Sequence, residues 1–314
     1  MRMNITAVKE NPSKKYGIVG VPWDEDASHG RPGSRFAPES IRKNASWIFD
    51  RIIDNKVMDL EEFRLIDFSD AEVKDFGDVE ICSYDHFETK NRIENKCREL
   101  HQAKYIPVLL GGDCSITWPQ IKALHDSVEG KIGIVHFDGH LDLLDSNFIQ
   151  GEFSHSSSIR RAIELLPRVD SRNVVQIGCR GYNYPDYYEY IVEKGITEIS
   201  PRDFYRLGIE GTARLTLEKA ARDTYAMFVT IDIDVLEGIY APGSGANETG
   251  GLNTYELQEL MKLLAPYTHS FNVTEVNPPF DLKNEFSSIA AAKLMFDFLV
   301  HNYRPTERAL KIMA

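Results

Sequence analysis

Apolar residues gather in short, nearly continuous runs along the chain, and amphipathic stretches fill the gaps between them. The runs predict strands at Tyr16–Val21, Phe63–Asp67, Tyr105–Leu110, Ile132–Asp138, Val174–Cys179, Ala226–Ile233 and Phe271–Val276. Most are apolar throughout rather than alternating, as strands covered on both faces are. The intervening stretches predict helices at Asn91–Lys104, Pro119–His125, Ser158–Leu166, Tyr187–Lys194, Thr212–Ala221, Thr254–Leu264 and Phe286–His301. The helix from Thr254 carries a start signal, Asn253 as cap and Glu256 closing a capping box. Strand–helix alternation continues along the whole chain, with no solenoid repeat and no low-complexity linker. It indicates one α/β domain over residues 1–314 with a mainly parallel sheet. In such sheets ligands sit at the carboxyl ends of strands, so the polar residues that follow each strand matter most.

Four strand ends stand out. Ile106–Leu110 runs into Gly111-Gly112-Asp113-Cys114-Ser115, and Ile132–Phe137 into Asp138-Gly139-His140-Leu141-Asp142. Met227–Ile231 runs into Asp232-Ile233-Asp234, and Phe271–Thr274 into Glu275-Val276-Asn277-Pro278. Side chains of an extended chain repeat every second residue, so Asp138, His140 and Asp142 share a face, as do Asp232 and Asp234. Gathered at neighbouring strand ends, these carboxylates and Glu275 repel one another and raise their pKa values unless something compensates them. Divalent cations do so. Oxygen-rich ligands with one or two imidazoles suit Mn²⁺ and similar metals, and carboxylates can bridge two ions. The plainer reading is that Asp138 and Asp232 only cap the turns that follow them. Two such motifs ending apolar strands in one chain favour the metal.

Composition narrows the partners. The 314 residues carry 36 Lys and Arg against 48 Asp and Glu, a net charge of −12. That balance excludes a general binder of nucleic-acid backbone and suits cations, although an acidic surface also serves solubility. With 42% hydrophobic content, a chain of this length buries a sizeable core without staples. Cys82, Cys97, Cys114 and Cys179 form no CxxC pair, which fits a reducing compartment. The amino-terminal segment lacks an apolar core, and Ile289–Val300 is short and interrupted by Lys293 and Asp297. A cytoplasmic protein without membrane attachment is expected.

The ordered motifs resemble the ureohydrolase family, which contains arginases, agmatinases, guanidinobutyrases and formimidoylglutamases. The match runs from about residue 16 to 300. Gly30-Arg31-Pro32-Gly33-Ser34-Arg35-Phe36-Ala37-Pro38 with Ile41-Arg42 resembles an agmatinase segment. GGDCS is similar to the family's GGDHS, DGHLD to DAHxD, and Ser154-His155 to its loop histidine. DIDVLEGIYAPGSG with Gly250-Gly251-Leu252 resembles the second metal motif, and Glu275-Val276-Asn277-Pro278 the closing EVNP. The resemblance implies an arginase-like three-layer αβα sandwich with a mainly parallel sheet and two divalent metal ions, Mn²⁺ first. It implies Cys114, Asp138, Asp142 and Asp232 around one ion. It places His140, Asp138, Asp232 and Asp234 around the other, with Asp138 and Asp232 bridging. The substrate would be a small guanidino or formimidoyl compound, and the assembly a homo-oligomer, trimer or hexamer.

In the chemistry so implied, two adjacent ions lower the pKa of a shared water, and Asp142 orients it. Glu275 pairs with the planar cationic group of the substrate. His155 passes a proton to the leaving nitrogen. Glu248 is a candidate for the distal amine of agmatine. Arg160, Arg161 or Arg31 are candidates for the distal carboxylates of formimidoylglutamate. His136, two residues before Asp138, reads as structural. His29, His86, His101, His125, His269 and His301 read as surface or capping residues. Tyr182–Tyr190 reads as packing, with a substrate wall or subunit contact as alternatives.

The chain departs from the family at several positions. Cys114 replaces the usual first histidine, Glu237-Gly238 the usual Asp-Pro, and Ser156-Ser157-Ser158 a Gly-Thr-Pro. Ala246-Asn247-Glu248-Thr249 replaces a Thr-Pro-containing loop, and Leu144 stands where arginases carry a substrate-binding Asn. Agmatinase is the first expectation and formimidoylglutamase the second. A metal-depleted, non-catalytic relative is the alternative of another class.

Overall fold

The computed structural model describes residues 15–24, 30–146 and 148–313. In chain order the strands are β1 (Lys15–Gly20), β2 (Lys56–Asp59), β3 (Arg64–Asp67), β4 (Glu72–Asp78) and β5 (Ile106–Leu110). They continue with β6 (Ile132–Phe137), β7 (Val169–Ile177), β8 (Thr197–Ile199), β9 (Ala226–Asp232) and β10 (Ser270–Thr274). The helices are α1 (Ala37–Phe49), α2 (His86–Gln102), α3 (Thr117–Ser127), α4 (Ser158–Leu165) and α5 (Pro185–Lys194). They continue with α6 (Pro201–Ala220), α7 (Thr254–Leu264), α8 (Phe286–Tyr303) and α9 (Glu307–Leu310).

One eight-stranded sheet has the order β4-β1-β5-β10-β9-β6-β7-β8, with every neighbouring pair parallel. Alternate residues of its strands feed opposite cores, which is why the central runs are apolar throughout. Val135, Ile231 and Phe271 face the core made with α1, α6, α7 and α8. Ile134, Val174 and Phe228 face α3, α4 and α5, while Val19 and Leu109 face α2 and α3. The result is the expected three-layer αβα sandwich.

Some elements differ from the sequence expectation. The run at Phe63–Asp67 becomes β3, which pairs antiparallel with β2 outside the central sheet. β4 was not expected. It is an exposed edge strand, EVKDFGD, with no apolar run to reveal it. α1, also not expected, begins at Ala37-Pro38, where the proline occupies the first turn without losing a hydrogen bond. α6 extends from Pro201 through a kink at Gly208, whose φ of 69° breaks the helical pattern. Of the histidines expected at the surface, His125 and His301 are buried. His125 contacts Asp126 and Arg168, and burial pushes His301 down to about 3. His29 lies outside the described residues. Among the described residues no helix is long and apolar enough to cross a membrane.

The topology positions the site. β5, β10, β9 and β6 are consecutive neighbours in the sheet, so the four unusual strand ends emerge side by side at its carboxyl edge.

Candidate metal centre

Each loop is fixed by its own backbone. Gly111 and Gly112 have φ of 75° and 78°, which favours glycine. A Cβ on Gly112 would fall 2.9 Å from the Val21 carbonyl oxygen. Asp138 accepts the His140 N–H with Oδ1 at 2.6 Å, and Asp232 accepts the Asp234 N–H with Oδ1 at 2.8 Å. Asp234 accepts the Gly139 N–H at 2.9 Å, tying the two motifs together. The capping reading of Asp138 and Asp232 is therefore correct for one oxygen of each. The second oxygen of each meets a neighbouring side chain, His136 for Asp138 and Cys114 for Asp232.

Asp142 and Glu275 both have positive φ, 51° and 59°. Non-glycine residues reach that region at a cost of about 1 kcal/mol or more, so the surrounding hydrogen bonds must hold them. For Glu275 these are its own N–H to the Gly112 carbonyl, 2.9 Å, and the Cys114 N–H to its Oε1, 3.0 Å.

The side chains converge. Cys114 donates its thiol proton to Asp232 Oδ2 at 3.1 Å and touches Thr274 Oγ1 at 3.2 Å. His140 Nδ1 lies 3.3 Å from Asp138 Oδ1 and 3.2 Å from Asp234 Oδ2. His136, set aside in the sequence reading as structural, places Nε2 2.8 Å from Asp138 Oδ2 and 3.9 Å from Asp142 Oδ2. The alternation that links Asp138, His140 and Asp142 extends one step back to it. Its Nδ1 is hydrogen-bonded at 3.0 Å to Gln176, its register partner on β7. A lone glutamine inside a buried strand was the second available signal.

Electrostatics follow from this crowding. Burial, then neighbouring carboxylates, pushes Asp232 and Asp142 well above the usual carboxylate range. Glu275 is pushed up by burial and Asp113, and Asp234 by burial and Asp138. Burial opposes the charge of Asp138 too, but His136 and His140 hold its carboxyl below the usual range. Burial likewise opposes charge on His140, yet Asp234 and Asp138 push it up to about 12. The Cys114 thiol is pushed well up by burial and by Asp232, Asp142 and Asp138.

These residues fit metal ions. Among the described residues, three groups have donor atoms within 4.8 Å of one another: Cys114–Asp138–Asp232, His136–Asp138–Asp142 and Asp138–His140–Asp234. Asp138 belongs to all three. The Oδ2 atoms of Asp138, Asp142 and Asp234 are buried without a hydrogen-bond partner, and bound cations would account for all three. A nearby cation would oppose the upward shifts of Asp142, Asp232, Asp234 and Glu275.

Cys114, His140, Asp142, Asp232, Asp234 and Glu275 line a cleft of about 890 Å³, and His155 and Glu248 face it from loops. Tyr182, Tyr184 and Tyr187 form one wall, so part of the tyrosine segment is not packing alone. Arg160 is not brought to the cleft. Its guanidinium bonds Glu164 at 2.8 Å, lies 3.6 Å from Asp145, and stacks on Tyr190. Arg161 is buried between Glu152, Asp145 and Glu164, and Arg31 bonds the Gly245 carbonyl. None of these three arginines lines the cleft.

Residues 14–301 match the Arginase family model. The chain is 34% identical over 303 residues to guanidinopropionase of Pseudomonas aeruginosa, covering 95% of this chain and 89% of that one. The solved structure of proclavaminate amidino hydrolase from Streptomyces clavuligerus superposes with a TM-score of 0.81 at 28% identity, covering 93% of each chain. Formimidoylglutamase of Bacillus subtilis superposes with a TM-score of 0.81 at 25% identity, over 93% of this chain and 88% of that one. The chain therefore belongs to the Arginase family: it is a ureohydrolase, a hydrolase of linear amidines.

Proposed function

We propose that this ureohydrolase removes the amidino group of a guanidino substrate with two divalent cations, Mn²⁺ first, and that agmatine is the substrate. Asp138, Asp142, Asp232, Asp234 and His140 would hold the pair, with Cys114 at the remaining family position. When bound, the pair supplies Lewis acidity and makes water acidic enough to attack at neutral pH.

The chain's own groups do the rest. Glu275 meets the planar cation of the substrate with a carboxylate already oriented by the Cys114 N–H. Asp142 presents a free Oδ2 to accept a proton from the attacking water. Water adds its oxygen to the central carbon, the C–N bond breaks, and the amine leaves with a proton. His155, on the cleft wall with its Nε2 3.4 Å from Gln150 Nε2, delivers that proton.

The observation that carries agmatine is the charge of the cleft. Its lining among the described residues contains Glu248 and three tyrosines but no Lys or Arg. A distal ammonium meets a carboxylate and aromatic faces there. A distal dicarboxylate meets no cation, which disfavours formimidoylglutamate. Kinship favours a second reading, a guanidino acid with one carboxylate, because the relative at 34% identity is a guanidinopropionase. The lining donors Gln150, Asn183 and Ser156 could serve such an end.

A substrate panel decides. Agmatine, guanidinopropionate, guanidinobutyrate, arginine, guanidine and formimidoylglutamate are assayed with Mn²⁺ for urea and formamide. Agmatine should give the highest kcat/KM, and Glu248→Gln should raise its KM. Higher kcat/KM for a guanidino acid overturns agmatine, and formamide release overturns the guanidino reading.

A further inference from the structure

Cys114 leaves the first cation without the imidazole that the family motif supplies. The structure holds another imidazole at the same carboxylates. Residues 136 to 142 read His-x-Asp-x-His-x-Asp, and the strand end with the bend after it gathers all four polar side chains around Asp138. Asp138 stands at the centre. On one side lie His140 and Asp234, and on the other His136 and Asp142.

We infer that His136, not Cys114, is the nitrogen ligand of the cation held by Asp138 and Asp142. This rests on the two-cation reading above. His136 Nε2 lies 2.8 Å from Asp138 Oδ2 and 3.9 Å from Asp142 Oδ2. Both oxygens are buried, and neither has a hydrogen-bond partner. The three donor atoms thus lie within 4.8 Å of one another, with His136 Nε2 in contact with Asp138 Oδ2. The ring is anchored from behind, because Nδ1 is hydrogen-bonded to Gln176, and Gln176 also bonds the Leu141 carbonyl at 2.5 Å. Metal-binding histidines are typically oriented in this way through their second nitrogen.

Cys114 is placed differently. Its sulfur is spent on Asp232 Oδ2 and Thr274 Oγ1. Asp232 accepts the Asp234 N–H with Oδ1 and the thiol with Oδ2, so the sulfur acts on the cluster through that carboxylate. In this arrangement the cysteine supports a carboxylate, and the role of the absent histidine passes to β6. The first cation then keeps an oxygen and nitrogen environment, so its preference stays with Mn²⁺ rather than with the softer metals that thiolate favours.

X-ray absorption of the Zn²⁺-loaded wild-type protein tests this without reference to turnover. The expected spectrum has oxygen and nitrogen neighbours, imidazole scattering from two rings per pair of ions, and no sulfur shell. A sulfur shell near 2.3 Å, the ordinary Zn–S distance, overturns the inference. Elemental analysis adds the variants. Cys114→Ala should keep two ions per chain, and His136→Ala should keep one and lose one imidazole. His136→Ala with two ions and an unchanged imidazole signal also overturns it. Asp138→Asn separates the two levels of argument. If that variant keeps both ions, the two-cation reading itself fails. If it loses them while wild type shows sulfur and a single imidazole, only the assignment of His136 fails.

Discussion

The molecule buries charge in two places, and the two behave oppositely. Between α7 and α9, Glu259 and Lys262 are buried and paired at 2.8 Å, with Glu61 and Arg308 at the rim. Burial opposes charge on both. Even so, Lys262 and Arg308 hold the Glu259 carboxyl below its usual range, and Glu259 and Glu61 hold Lys262 above its own. At the carboxyl ends of β5, β10, β9 and β6, equally buried carboxylates are pushed up instead. The difference lies in who supplies the cation. The helical cluster contains its own lysine and arginine, so Glu259 keeps its charge without a cation from outside. The strand-end cluster has only two imidazoles for five carboxylates, so without a cation from outside its carboxylates are pushed toward the protonated form.

The sharpest way to break this comparison is to remove a shared charge from the strand-end cluster. Asp138→Asn and Asp232→Asn should each lose bound metal by elemental analysis and lower kcat by about 1000-fold, roughly 4 kcal/mol. Retention of both ions with more than about a tenth of wild-type kcat, within 1.4 kcal/mol, would show that the cluster does not depend on external cations.

Glu275 sharpens it within the same cluster. Because it faces the substrate, Glu275→Gln should retain metal while kcat/KM for a guanidino substrate falls by about 100-fold, roughly 2.7 kcal/mol. Metal loss on that substitution would move Glu275 from the substrate to the ions.

The helical cluster should respond in the other currency. Lys262→Met leaves Glu259 with Arg308 alone, and stability should fall by about 2 kcal/mol, less than a fully buried pair because Glu61 is half exposed. Urea unfolding measures it. Metal content and kcat of the folded variant should not change. A change in either would mean that the two regions are coupled.

The strand-end motifs were legible in the sequence because each follows an apolar run, and short parallel strands leave little choice about where their ends lie. His136 is harder to read, since a histidine inside an apolar run reads first as core. Gln176 makes sense only once β6 and β7 are paired in register. Arg160 reads from the sequence as a candidate for a distal carboxylate, although Glu164 four residues on offers it a helical partner. β4 was invisible for a physical reason: an edge strand whose faces are exposed needs no apolar pattern.

Asp297 gives the smallest test, and it separates the regions by pH. It lies on α8 beside Lys293 and near Lys262, and burial outweighs both cations, raising it to about 6 from 3.8. The folded chain therefore binds this proton more tightly than the unfolded chain. Between those two values the folded state holds more protons, so stability from this group rises as pH falls through 6 and is absent above it. From pH 7 to pH 5 the gain is about 1 kcal/mol. Asp297→Asn is neutral at every pH and should lose that dependence. The measurement is the difference in unfolding free energy between wild type and Asp297→Asn at pH 7 and pH 5, with metal bound so that the strand-end carboxylates do not titrate alongside. A wild type that gains on the variant as pH falls supports a carboxyl that the helical cluster leaves undercompensated. A difference independent of pH would mean that Lys293 and Lys262 already neutralise Asp297, and that the helical cluster is complete at every one of its carboxylates.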